Sequence, residues 1–179
     1  MNSWIVLLRG INVGGNNIVP MKQLAEMLVS LGCQNVQTYI QSGNVLLQHA
    51  ESNKRLLSTL VAEQIEQTFG FNAHILILTL AEFELAVANN PYPEAQSEPK
   101  TLHMFFLAEP TTLENFDVLS ALKKDSESFS LIEQVFYLQA PDGIGRSKLA
   151  GKVERHLGVP TTARNWNTVT KILKLVASD

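Results

Sequence analysis

Cysteine is almost missing from this chain of 179 residues. Cys33 stands alone, which excludes a disulfide framework and a cysteine-based metal site. Long apolar runs are missing from the start as well. The opening "MNSWIVLLRG" has an apolar run only over residues 4–8, too short for the core of a secretory signal and far too short to span a membrane. A cytoplasmic protein is therefore expected. Histidine is sparse: His49, His74, His103 and His156 fall at no metal-ligand spacing. No metal and no cofactor are expected. His103 reads as a strand side chain and His156 as a surface helix residue.

Charge is scarce and uneven. With 17% charged and 45% apolar residues, the composition is that of a soluble globular protein. The net charge of −3 argues against indiscriminate nucleic-acid binding. Residues 146–179, however, carry seven Lys or Arg against Glu154 and Asp179, a local +5, and leave −8 on residues 1–145. The asymmetry fits the solvated basic faces of two terminal helices, or a local field for an anion.

Periodicity supplies the architecture. Residues 4–10 read as a buried strand. Met21, Leu24, Leu28 and Leu31 then recur at helical spacing after Pro20 and stop at Gly32. "VQTYI" and "NVLLQ" flank Ser42-Gly43, a two-residue hairpin signal. Leu56, Leu57, Leu60, Val61, Ile65 and Phe69 mark a helix closed by Gly70, and residues 73–79 form a strand. The order is β-α-β-β-α-β, the split βαβ or ferredoxin-like arrangement. A short helix over 80–89 leads into the Pro-rich connector "NPYPEAQSEPK".

Beyond the connector the order repeats. "LHMFFLA" is a strand, "TLENFDVLSALKK" a helix, and "SFSLI" with "QVFYLQ" a strand pair. "SKLAGKVERHLG" is a helix with Leu149, Val153 and Leu157 on one face, and "VPTTA" is extended before the last helix. The expected fold is α+β: two ferredoxin-like subdomains packed together, with antiparallel sheets. Residues 1–89 form the first with its trailing helix, 90–100 the connector, and 101–179 the second with its C-terminal helix. Several strands are continuously apolar, so both their faces should be covered. A single-layer RNA-binding sheet would instead expose alternating aromatics.

In this topology the loop after the first strand and the turn between the second and third lie at one sheet edge. "RGINVGGNN" and "QSGN" would therefore gather Arg9, Asn12, Asn16, Asn17, Gln41, Ser42 and Asn44 around Gly10, Gly14 and Gly15. Lys22 sits in the first turn of the helix that points there, whose free N–H groups favour an anion. Glycines needing positive φ and asparagines making local turn bonds explain the same residues equally well. No P-loop or dinucleotide fingerprint is present.

A matching edge is expected in the second half, where "PDGIGRSK" and "TARNWNT" should meet. Arg146, Ser147 and Lys148 stand at the mouth of one helix, with Ser147 as a candidate N-cap. Arg164, Asn165, Trp166 and Asn167 open the last helix. Trp166 shares a face with Val169, Ile172, Leu173 and Val176 and should be buried, and Asn165 should cap. Lys148 and Arg164 each place a cation near a helix start, against the dipole. Asn167 projects from the opposite face. An anion between these bases would account for them.

The polar loops hold little that could move a proton. Asp142 is their only carboxylate and precedes Gly143, where a turn role is the default. Ser42 and Ser147 have no sequence-evident base. A metal hydrolase, a Ser-His-Asp enzyme and a paired-carboxylate enzyme are all poorly supported. The remaining groups are donors suited to phosphate or carboxylate.

"LLRGINVGG…VPM", "TYIQSGNV", "NPYP" and "SKL…LG…TARNWNTVTKIL" together resemble the bacterial family catalogued as domain of unknown function 1697. The resemblance runs from Leu7 to Leu173 and implies an α+β fold of two ferredoxin-like subdomains. It marks Arg9, Asn12, Gln41, Ser42, Asn44, Ser147, Lys148, Arg164, Asn165 and Asn167 as motif positions, without a catalytic role. Residue by residue, the first expectation is a protein that binds a phosphorylated small molecule or nucleotide. Its ligand-binding candidates are Arg9, Asn12, Gly14, Gly15, Lys22, Gln41, Ser42, Asn44, Arg146, Ser147, Lys148, Arg164, Asn165 and Asn167. An enzyme acting on a phosphorylated substrate, nucleic-acid binding against the net charge, and a structural or interaction module without ligand stay open. So do enzymatic activity itself and the oligomeric state; no membrane partner is expected.

Overall fold

An apolar run without alternation is stable only where both sheet faces are covered. The computed structural model, which describes residues 1–112 and 114–177, places residues 4–8 in this way. The first elements are β1 (Asn2–Arg9), α1 (Met21–Ser30), β2 (Gln34–Tyr39), β3 (Asn44–His49), α2 (Lys54–Phe69), β4 (His74–Thr79) and α3 (Leu80–Ala88). The sheet order is β2-β3-β1-β4, with every neighbouring pair antiparallel. Trp4, Val6 and Leu8 turn one way, onto Leu24, Leu28, Leu57, Val61 and Ile65 of the two helices. Ile5 and Leu7 turn the other way and are buried too.

Local chemistry sets the helix limits. The Asn53 side chain accepts from the N–H groups of Arg55 and Leu56 to start α2, and Gly70, at φ 79°, ends it. Thr79 and Glu82 form a reciprocal capping box at α3: each side chain accepts from the other's backbone N–H, at 3.1 and 2.8 Å.

The second round comprises β5 (Leu102–Leu107), α4 (Phe116–Leu122), β6 (Ser128–Ile132), β7 (Val135–Gln139), α5 (Val153–Leu157), β8 (Thr161–Asn165) and α6 (Trp166–Val176). Its sheet order, β6-β7-β5-β8, repeats the first. Phe105, Leu107, Phe136 and Leu138 pack with Leu119, Leu149, Val153 and Leu157. The Phe105 ring meets Phe136 edge-on at 5.9 Å, and Phe136 stacks on Phe129 at 5.3 Å. All six residues of β5 are buried, so neither face offers a nucleic-acid platform.

The chain divides into two compact units. One is Met1–Glu84 joined by the chain from Ile172; the other is Leu85–Lys171. The Pro-rich stretch belongs to the second unit, where Pro93–Ser97 form a 3-10 turn and Ala95 is buried. The Tyr137 hydroxyl donates to the Ala86 carbonyl, and burial pushes its pKa upward. Among the described residues no helix is long and apolar enough to cross a membrane.

Three local expectations are corrected. Residues 147–158 are not one helix: a 3-10 turn over Ala150–Lys152 precedes the five-residue α5, because Gly151 gives little support to a continuous helix. The inward face of Leu149, Val153 and Leu157 survives regardless. The turn between β2 and β3 is not the two-residue kind. Tyr39 pairs with Asn44, and the four residues between them include Ile40 at φ 49° and Gly43 at φ 74°. Finally, α4 begins at Phe116, because Asn115 donates its side chain to the His156 carbonyl at 2.8 Å instead of capping. Leu113, counted in the expected helix, lies outside the described residues.

Candidate functional site

The first polar edge assembles as the topology requires, and its asparagines bind the protein itself. Asn12, at φ 53°, donates to the Val19 and Gln41 carbonyls at 3.0 and 2.8 Å, and accepts from the Val19 N–H at 2.8 Å. One side chain thus closes the loop after β1 and ties it to the β2–β3 turn. Asn17, at φ 49°, donates to the Gly10 carbonyl at 2.8 Å. Between these two, Val13 and Asn16 pair around Gly14 and Gly15, at φ 58° and 78°. This is the two-residue hairpin geometry that needs positive φ at both centres. A Cβ would meet nothing within 4 Å at Gly15 and only the Asn16 amide at Gly14. Backbone conformation, with no crowding, explains both glycines.

Asn44 is buried and donates to the Tyr39 carbonyl at 3.1 Å and to Ser42 Oγ at 2.9 Å. Gln41 is exposed and contributes its backbone carbonyl. Arg9 is half-buried, opposite His74 in the register. Lys22 is exposed, with Nζ 3.9 Å from Glu26. Asn12, Asn17 and Asn44 clasp this edge together.

The second edge differs. Gln139 and Asn165 pair with Leu102 and His103 at the start of β5, so the chain leaves β7 and β8 at the same end of the sheet, one strand apart. Ser147 is buried, and its Oγ accepts from the Ala150 N–H at 3.0 Å. It caps a turn, and Lys148 lies within that turn instead of opening a long helix. Asn165 Oδ1 accepts from the Thr168 N–H at 3.0 Å, the expected cap of α6, and Trp166 is buried as expected. Arg146, Lys148 and Asn167 are exposed.

Arg164 requires a correction. It stands just before the last helix, one residue ahead of the Asn165 cap, but as part of β8, where it pairs in register with Met104. Strand alternation puts it on the sheet face opposite Ala163 and Asn165. It is buried, donates to the Ala163 carbonyl at 2.8 Å, and burial lowers its pKa to about 10. The guanidinium stays charged at neutral pH and is part of the packed interior. The Arg164 guanidinium is thus buried, unlike the exposed Lys148.

Asp142 accepts from Lys124 Nζ at 3.3 Å and from Ser126 Oγ at 3.1 Å. The Lys124 bond, the Ser126 bond and the Lys124 charge hold it below the usual carboxylate range. A neutral-pH acid or base requires the opposite displacement. Among the described residues no three His, Cys, Asp or Glu side chains gather as a metal site.

Sequence reading passed over His103 as a strand residue. It is buried, Nδ1 makes no hydrogen bond, and its register partner is Asn165, the cap of α6. Its one signal was a polar residue inside the apolar run "LHMFFLA". Desolvation pushes its pKa below the ordinary value of 6.5, with the Thr101 carbonyl opposing. The unfolded chain therefore takes up this proton first as the pH falls. The stabilisation is complete well above pH 6.5 and is lost as the pH drops from there toward the depressed value. Denaturation of His103→Leu across pH 7.5 to 5 should give a flatter stability profile than the natural protein; superimposable profiles would refute the assignment.

Two split βαβ sheets, one closed by an asparagine clasp and the other carrying an exposed basic corner, define a duplicated ferredoxin-like α+β protein. The family model for the protein of unknown function DUF1697 matches residues 1–137, and the chain belongs to that family. Its fold is similar to that of a solved structure, the conserved bacterial protein SP0830 from Streptococcus pneumoniae. The TM-score is 0.69 at 25% identity, over 96% of this chain and 96% of that one. None of the curated proteins matches.

Proposed function

We propose that this protein binds a phosphorylated small molecule or nucleotide at the Arg146–Ser147–Lys148 corner of its second sheet, in the cytoplasm. The observation that carries this reading is that Arg146 and Lys148 are both exposed, while Ser147 between them is fixed by its bond to Ala150. The nearby carboxylate, Asp142, is bonded by Lys124 and Ser126, and the Arg146 charge also acts on it. Asn165 holds the start of α6 at the same end of the sheet, with Asn167 exposed in its first turn. Fixed backbone between two exposed cations suits an anion of two or three oxygens. Binding is favoured over turnover because the carboxylate nearest this corner, Asp142, is held below the usual carboxylate range.

A thermal-shift screen of nucleotides, sugar phosphates and inorganic pyrophosphate tests the reading. A ligand at about one hundred times its Kd adds roughly 2.7 kcal/mol of stability. The shift should disappear in Arg146→Ala/Lys148→Ala and persist in Lys22→Ala. A response that survives the double substitution refutes this location.

A further inference from the structure

Eight of the ten glycines have positive φ and are explained by backbone geometry. The two that do not are Gly145 and Gly151, and at neither would a Cβ meet anything within 4 Å. Neither a positive φ nor internal crowding requires glycine there. Both lie in the stretch that carries Arg146, Lys148, Lys152 and Arg155, all exposed. The one acid within it, Glu154, turns inward and accepts from the Thr161 N–H at 2.8 Å. Over residues 148–157 the inward positions are Leu149, Val153 and Leu157. Lys148, Lys152 and Arg155 lie off that inward row and are exposed, Lys148 in the turn capped by Ser147, Lys152 at the end of the 3-10 turn and Arg155 in α5. At the rise of α and 3-10 turns these three bases extend over about 10–14 Å.

We infer that this face docks the phosphate backbone of a nucleic-acid duplex, with Lys148, Lys152 and Arg155 on phosphates and Gly151 letting the backbone approach closely. Charge complementarity carries the choice of partner: a row of bases without a free acid fits a polyanion with regularly repeating charge. Residues 143–158 contain no Phe, Tyr or Trp, so the row has no platform on which unpaired bases could stack. This favours the duplex over a single strand. Contacts restricted to phosphates make the binding independent of sequence. The surface shares Lys148 with the small-ligand corner and goes beyond it.

The test is fluorescence anisotropy of a labelled duplex of about 20 base pairs between 50 and 200 mM salt, with the full chain. Three phosphate contacts weaken binding roughly 40-fold over that range, and one contact about 3- to 4-fold. Lys152→Ala/Arg155→Ala should show the smaller change, and Arg55→Ala the full one. Gly151→Val should weaken binding without lowering Tm, which separates docking from folding. No duplex binding at 50 mM, a salt dependence unchanged in Lys152→Ala/Arg155→Ala, or tighter binding to the single strand or to anionic vesicles would each overturn the inference. The small-ligand thermal shift should survive Lys152→Ala/Arg155→Ala, so the two proposals fail independently.

Discussion

Gly43→Ala is expected to destabilise the protein by roughly 3–6 kcal/mol, a large part of the 5–15 kcal/mol typical of a domain. The added Cβ would sit 2.6 Å from Leu8 Cβ and 2.8 Å from Ile11 Cδ1. Leu8 Cβ is fixed to the backbone of a central strand and cannot give way. The turn would have to lift from β1, straining the bond by which the Leu8 N–H donates to the Gly43 carbonyl at 2.8 Å. Overpacking contributes about 1–3 kcal/mol, the left-handed φ of 74° about 1–2, and the weakened hydrogen bond about 1. Gly70→Ala is the control, since its φ is also positive but a Cβ there meets nothing within 4 Å. Urea denaturation should show a much larger fall in midpoint for Gly43→Ala. Equal falls would mean that close approach to β1 is not what requires glycine at 43.

Asn12→Ala is expected to cost about 2–4 kcal/mol. Three hydrogen bonds end on this one side chain, each contributing roughly 0.5–1.5 kcal/mol, and asparagine tolerates the left-handed φ of 53° better than alanine does. Asn12→Asp separates the roles. It keeps the acceptor for the Val19 N–H but turns a carboxylate toward the Val19 and Gln41 carbonyls, so it should destabilise at least as strongly above pH 5. Lower pH should relieve part of that loss by protonating the new carboxyl. If either substitution left the denaturation midpoint unchanged, Asn12 would not be a clasp.

These effects show what the sequence could disclose. The periods of the apolar residues set the element order, and both sheets follow it because the split βαβ connection places each strand. The edge that gathers "RGINVGGNN" with "QSGN" was equally legible, since topology alone brings those loops together. Whether Asn12 faces a ligand or Val19 was not legible, because that depends on the fold of the eleven-residue loop over residues 10–20. The two-residue turn was assigned to Ser42-Gly43 and occurs at Gly14-Gly15, where both residues can adopt positive φ. Gly43 serves close approach instead, a requirement set by Leu8, 35 positions away. Arg164 misled for a different reason: "TARN" continues β8 for two residues beyond the apolar signal, and strand alternation then buries its guanidinium. His103 was hidden because its neighbour across the sheet, Asn165, is 62 positions distant.

The central claim is that the first polar edge holds the protein together while the second is open to a ligand. Backbone amide shifts recorded during titration with inorganic pyrophosphate test it most directly. The account predicts that the amides of Gly145, Arg146, Ser147, Lys148 and Asn167 move together and saturate, while those of Asn12, Gly14, Gly15 and Asn17 stay still. Saturable movement centred on Gly14 and Gly15, with the corner at Arg146 unperturbed, would contradict it.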